Sequence, residues 1–190
     1  MMSDEVRRLT EGELLMDRPD PPKTVVLALG NLIRSDDSVA LHALALLEQD
    51  PRVPGHVSFV EGGTKGLELV PYISEAAYLL VLDAVDVGAS PGTIYRITAK
   101  ELRTLPGSSN VHELALADIL NALRLMGQEP GETVLLGVQP STTELGITLS
   151  EPAERAVPAL VRAAIAELHR WDSFGAALSR EAKEPLVDIA

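Results

Sequence analysis

Two adjacent carboxylates stand in the segment LGNLIRSDDSVALHAL, between an apolar run and an apolar-periodic segment. Asp36 or Asp37 could cap the helix that we predict to begin near Ser38, because a carboxylate accepts the free amide hydrogens of a helix N-terminus. With a further oxygen or nitrogen ligand, the same pair could instead bind a metal ion. The rest of the chain has to distinguish a structural acidic pair from a chemical one.

Asp83 and His112 are the residues that favour a metal site. Asp83 interrupts the most continuously apolar segment, YLLVLDAVD, where a buried carboxylate must be paired, hydrogen-bonded or bound to a metal. His112 falls in the first turn of a predicted helix, where the positive end of the helix dipole disfavours the imidazolium. Two carboxylates and a neutral imidazole suit nickel, zinc or iron(II) and leave a position open for solvent or substrate.

Composition excludes several classes of function. The chain has no cysteine, which excludes disulfides, thiolate metal sites and a cysteine nucleophile. Its net charge of −12 argues against a nucleic-acid partner, because phosphate backbones require a basic face. No apolar run reaches the roughly 18 residues of a membrane span, and the N-terminus lacks the apolar region of a signal peptide. We expect a cytoplasmic protein with no membrane span, and we expect it to be monomeric.

Strands that alternate with helices must position the polar residues. Predicted strands cover residues 24–30, 56–63, 78–86, 92–99 and 132–140, and predicted helices cover 38–49, 64–73, 111–127 and 150–171. In the first helix, the buried face is predicted to contain Val39, Ala43, Leu46 and Leu47. The alternation predicts an α/β fold, a three-layer α/β/α sandwich with a mostly parallel central sheet.

The sequence also indicates one domain between two weakly patterned ends. Residues 1–23 are polar and end in closely spaced prolines, which is typical of a flexible N-terminal lead-in. The domain is predicted to span 24–171, and residues 172–190 form a C-terminal tail.

The ends of the predicted strands carry the remaining candidate residues. In open α/β sheets, ligands bind outside the carboxyl ends of the strands, where the strand order reverses. Besides the acidic pair and Asp83, the polar or flexible residues at such positions are Asn31, Gly62, Gly63, Thr64 and Gln139. The segment EGGT that contains the two glycines lacks the spacing of a phosphate-binding loop.

Five segments in order resemble a known family, the maturation endopeptidases of nickel–iron hydrogenases. They are LALGNLIRSDDSVALHAL, EGGTKGLELV, LLVLDAVDVGASPGTIYRI, SSNVHELALADILNAL and VLLGVQP, over roughly residues 24–168. The resemblance implies a single α/β/α domain that trims a C-terminal extension from the large hydrogenase subunit after nickel insertion. It also implies that Asp37, Asp83 and His112 bind the metal.

The chain departs from the family pattern directly after the acidic pair. The usual D-G-x-G reads Asp37-Ser38-Val39-Ala40 here, so that both glycines are absent. Where relatives carry Glu at the second acidic position, Asp37 is one methylene shorter.

The resemblance therefore implies a peptide-bond hydrolase whose nickel is supplied by the precursor of the hydrogenase large subunit. Asp36 is a candidate general base, no organic cofactor is expected, and the substrate cleft is expected to contain Asn31, Gly62, Gly63, Thr64 and Gln139. Two alternatives stay open: a metallo-aminopeptidase on a related fold, and a non-enzymatic nickel-checkpoint protein that binds the precursor without cutting it.

Overall fold

The central element of the fold is a five-stranded sheet. The computed structural model describes residues 21–102 and 111–181, with side chains described outside 111–115 and 174–181. Residues 1–20 of the predicted lead-in and 182–190 of the predicted tail therefore lie outside the described residues. The strands are β1 (Thr24–Leu29), β2 (Val57–Gly63), β3 (Tyr78–Ala84), β4 (Ile94–Thr98) and β5 (Glu132–Val138).

The strand order is β2-β1-β3-β5-β4, and every pairing is parallel except that of β4 with β5. The chain leaves β1 toward β2 and then crosses back to β3 on the other side of β1. The order therefore reverses between β1 and β3, which is where ligands bind in sheets of this type. The mostly parallel sheet confirms the prediction from the alternating pattern.

Helices cover both faces of the sheet. They are α1 (Val39–Leu47), the short α2 (Val70–Ile73) and α3 (Ala99–Leu102), α4 (Val111–Leu125) and α5 (Glu151–Glu181). Alternate residues of β1 point to opposite faces: Val26 and Ala28 pack in the core beneath α1 and α5, whereas Val25 and Leu27 pack with α2 and α4. These two cores form the expected three layers.

Two details of the helices differ from the sequence-based expectations. Leu46 was predicted on the buried face of α1 but is 51% exposed. The buried side chains of α1 lie on the helix face that is centred on Ala40 and Leu47. Leu46 lies at the border of that face, next to solvent. The last helix continues past Trp171 to Glu181 and thus enters the segment that was predicted to be a tail.

Candidate active site at the carboxyl edge of the sheet

The acidic pair lies in a loop that folds back over the end of β1. We call residues 30–38 the acidic loop. Gly30 has a φ of +136°, and a Cβ at this position would lie 1.9 Å from the backbone oxygen of Asp37. The amide of Asn31 donates to that same oxygen at 3.3 Å. Only a glycine at position 30 therefore allows Asp37 to sit this close to the end of the strand.

Asp37 follows β1 and Asp83 lies in β3, the two strands between which the order reverses. Asp37 is 8% exposed in the loop after β1, and Asp83 is 1% exposed near the end of β3. Oδ1 of Asp83 accepts a hydrogen bond from the amide of Ala84 at 2.8 Å. Because β1 and β3 pair directly and in parallel, both buried carboxylates lie at the carboxyl edge of the sheet. The structure thus places two of the three predicted metal ligands at the location that the strand-end rule indicates.

His112 is the third predicted ligand, and it lies in the first turn of α4. The helix has 15 residues, or about 22 Å, which matches the length of the seven-residue β5 that follows it. Since β5 begins at the opposite, amino edge, the first turn of α4 lies toward the carboxyl edge. The side chain of His112 is outside the described residues. Among the described side chains, no three His, Asp or Glu groups form a metal cluster.

Asp36 is fully buried and hydrogen-bonded to the connection between β5 and α5. We call residues 139–150 the closing loop. Oδ2 of Asp36 accepts from the amides of Ser141 (2.7 Å) and Thr142 (3.2 Å) and from the Ser150 hydroxyl (2.7 Å). Its Oδ1 accepts from the amide of Ser150 at 2.6 Å. Asp36 therefore binds at the N-terminus of α5, the last helix, and not at the helix that directly follows it.

The surroundings of Asp36 keep it ionised. Burial raises the pKa of its carboxyl group, but the hydrogen bonds from Ser150, Ser141 and Thr142 outweigh burial, so that the pKa lies below its ordinary value of 3.8. This carboxylate accepts four hydrogen bonds and has no exposed surface. Such a group is poorly placed to take a proton from a water molecule, so its geometry favours a structural task over that of a general base.

Gln139, which was predicted to line the cleft, uses its amide group inside the protein. Its Oε1 accepts from the amides of Val87 (3.0 Å) and Ala89 (3.1 Å), and its Nε2 donates to Oδ1 of Asp86 at 2.9 Å. These contacts fix the loop that follows β3. Gln139 thus connects the closing loop to the loop that follows the strand of Asp83.

The other predicted cleft residues lie where β1 and β2 end. The carbonyl of Gly63 accepts from the amide of Gly30 at 3.0 Å, which joins the ends of these two strands. A Cβ at Gly62 would lie 2.8 Å from the side chain of Leu27, so a larger residue here would have to displace that side chain. Oδ1 of Asn31 accepts from the amide of Ile33 at 3.1 Å, and Thr64 is exposed.

Sequence reasoning missed the closing loop as part of the site. The acidic and closing loops are also joined by two backbone hydrogen bonds. The amide of Ser35 donates to the carbonyl of Gly146 at 2.9 Å, and the amide of Gly146 donates to the carbonyl of Ile33 at 3.0 Å. A Cβ at Gly146 would lie 2.5 Å from Oγ of Ser35. The only signal in the sequence is position, because the segment STTELGITLS follows a buried strand as the acidic loop does.

Comparisons with known proteins agree with this architecture. A family profile described as hydrogenase maturation protease matches residues 41–167. The chain is 32% identical over 162 residues to the hydrogenase 2 maturation protease of Escherichia coli (strain K12), a match that covers 84% of this chain and 98% of that protein. It is 33% identical over 147 residues to the hydrogenase expression/formation protein HoxM of Azotobacter vinelandii, covering 76% and 71% of the two chains.

Solved structures give the same result. The hydrogenase maturating endopeptidase HybD from E. coli superposes with a TM-score of 0.74 at 30% identity, over 78% of this chain and 93% of that one. No helix in the described part of the chain has the length and apolar character needed to cross a membrane. The match of the profile to most of the chain, together with these relatives, shows that the protein belongs to the hydrogenase maturation protease family.

Proposed function

We propose that this protein is the endopeptidase that removes a C-terminal extension from the nickel-loaded precursor of a hydrogenase large subunit. The observation that carries the proposal is the position of two buried carboxylates at the reversal of strand order: Asp37 in the loop after β1 and Asp83 near the end of β3. Membership of the maturation protease family supplies the class of reaction. His112, in the first turn of α4, completes the proposed ligand set.

The nickel ion in this proposal belongs to the substrate. Asp37, Asp83 and His112 would capture the nickel of the precursor, because carboxylate and imidazole ligands suit a borderline divalent ion. Three protein ligands leave positions for groups of the precursor or for water. Capture would bring the scissile peptide into the cleft, where the metal can polarise the carbonyl group or lower the pKa of a bound water. No organic cofactor enters this scheme.

A protein substrate also needs a contact surface around the cleft. The acidic and closing loops carry large aliphatic side chains that face solvent: Leu32 and Ile33 are more than half exposed, and Leu145 (79%) and Ile147 (78%) more so. Apolar side chains grouped beside a site are typical of an interaction surface. We expect them to contact the precursor next to its scissile segment.

The decisive test compares nickel-loaded with nickel-free precursor, using His112→Ala and Asp83→Asn variants. We expect cleavage of the nickel-loaded precursor only, and a loss of at least 100-fold in each variant, because each lacks a nickel ligand. His42→Ala is the matched control, since His42 is an exposed histidine on α1. Equal cleavage of the nickel-free precursor would refute capture through nickel, and full activity of both variants would refute the ligand assignment.

Precursor mass separates the remaining alternatives. A nickel-checkpoint protein would bind the precursor and leave its mass unchanged, whereas the proposed endopeptidase shortens it at the C-terminus. A metallo-aminopeptidase would shorten it at the N-terminus and would retain its own metal after purification. The cytoplasmic location and the monomeric state expected from the sequence stay predictions.

A further inference from the structure

Asp36 stands directly before the proposed nickel ligand Asp37, yet the hydrogen bonds of its carboxylate run to a distant part of the chain. We propose that Asp36 is a positioning residue, which sets the location of Asp37 by fastening the acidic loop to the closing loop. The inference rests on the proposed function, since it assigns a task within the same site. It gives Asp36 a role other than that of general base.

The first argument is that Asp36 holds both ends of the closing loop. Ser141 and Thr142 lie at its start and Ser150 at its end, and all three donate to one carboxylate. The backbone amide of Asp36 also donates to the carbonyl of Thr142 at 3.2 Å. The side chain of Asp36 thus joins the acidic loop to both ends of the closing loop and to the beginning of α5.

The second argument is that this attachment continues to the other carboxylate of the site. The closing loop begins with Gln139, whose amide group binds the loop after β3. Asp83 lies near the end of that same strand. The loop of Asp37 is therefore fastened to the closing loop through Asp36, and the loop that follows the strand of Asp83 is fastened to it through Gln139. Displacement of the closing loop would change the separation of the two proposed ligands.

The third argument is that only a carboxylate fits the donors around Asp36. Two backbone amides and a hydroxyl converge on Oδ2, and a third amide points to Oδ1. An asparagine would place its NH₂ group against at least one of these donors. The NH₂ group and the donor that faces it would then both lack an acceptor. The N-terminus of α5 also favours a negative charge at this position. In addition, the Ser150 hydroxyl that donates to Asp36 accepts from the amide of Ala153 at 3.4 Å and so caps α5.

The experiment measures processing of nickel-loaded precursor by Asp36→Asn and Ser150→Ala variants across pH. Ser150→Ala removes one donor to Asp36 and leaves the carboxylate in place, so it weakens positioning without removing a base. We expect kcat/KM to fall about 100-fold in Asp36→Asn and about 10-fold in Ser150→Ala, the range for groups that orient metal ligands. In both variants, kcat/KM should fall at acidic pH over the same pH range as in the wild type.

Asp50→Asn is the matched control. Asp50 also accepts several hydrogen bonds, from the backbone and side chain of Arg52, but it lies before β2 at the opposite edge of the sheet. We expect Asp50→Asn to retain processing within about twofold. Folding of each variant is followed by the fluorescence of Trp171, the single tryptophan.

Two results would overturn the inference. One is wild-type processing by Ser150→Ala together with an inactive but folded Asp36→Asn, because a base needs no help from Ser150. The other is a displaced or missing fall of kcat/KM at acidic pH in Asp36→Asn. The nickel-free precursor reports on the proposed function separately: if it is cut as fast as the nickel-loaded form, capture through nickel fails whatever the Asp36 variants do. If Asp36→Asn does not fold, Ser150→Ala alone decides.

Discussion

Gly30→Ala is the substitution for which the structure gives the clearest magnitude. The ideal Cβ would lie 1.9 Å from the backbone oxygen of Asp37, whereas real Cβ atoms keep at least 3.0 Å. The Asp37 backbone must therefore move by about 1 Å or more, and a displacement of about 1 Å in a catalytic group lowers the rate by about 100-fold. This corresponds to about 2.7 kcal/mol in the activation free energy.

The substitution also affects the free energy of unfolding. Alanine at a φ of +136° is strained, which costs about 1–3 kcal/mol. A domain of ordinary stability, about 5–15 kcal/mol, stays folded after such a loss. We therefore expect a folded protein, with Trp171 fluorescence as in the wild type, that processes nickel-loaded precursor about 100-fold more slowly.

Two other glycines make the assay a graded series. Gly146→Ala would meet only the hydroxyl of Ser35, at 2.5 Å, and a hydroxyl can rotate away, so we expect a loss of a few-fold. Gly55→Ala is the control, since no described atom lies within 4 Å of its Cβ position. Processing is measured as the loss of precursor mass over time. Wild-type rates for a folded Gly30→Ala would refute the idea that this close approach positions Asp37.

The remaining predictions concern charge, surface and stability. The pKa of Asp36 is lower in the folded chain than in the unfolded chain, where it has its ordinary value of 3.8. The stability that this carboxylate contributes is therefore present above pH 3.8 and is lost as the pH falls through the folded pKa. Asp36→Asn should lose less stability than the wild type between about pH 7 and pH 3, as measured by urea titrations. Leu145→Ser and Ile147→Ser should each raise KM for the precursor by about 3–10-fold with kcat unchanged, whereas Leu125→Ser, on an exposed side chain at the far end of α4, should not. Glu167→Gln should lower the free energy of unfolding by about 1–2 kcal/mol, because its two arginine partners are partly exposed, and should leave processing unaffected.

The periodic pattern of the sequence was sufficient to predict the layers and the edge at which the site lies. Apolar runs between glycines and polar segments indicated the parallel strands, and the strand-end rule then brought Asp37 and Asp83 to one edge. The carboxylate in an apolar strand was the strongest local signal, because a buried carboxylate has to be paired, hydrogen-bonded or bound to a metal.

The tasks of Asp36 and Gln139 could not be predicted in this way. The partners of Asp36 lie more than 100 residues along the chain, in a loop without periodicity. Gln139 is similar, since its contacts with the loop after β3 depend on strand order, which the pattern of apolar residues does not specify. Both residues have the types and positions of cleft residues, and only their hydrogen bonds show that they hold the loops together.

The proposed capture of nickel from the precursor requires a site that exists before the metal arrives. Because the metal comes with the precursor, the protein itself has to hold the loop of Asp37 beside the end of the strand that contains Asp83. Gly30 allows the acidic loop to lie against β1, Asp36 attaches that loop to the closing loop, and Gln139 attaches the closing loop to the loop that follows β3. Weakening any of these three contacts should therefore reduce nickel-dependent processing more than it reduces the stability of the fold.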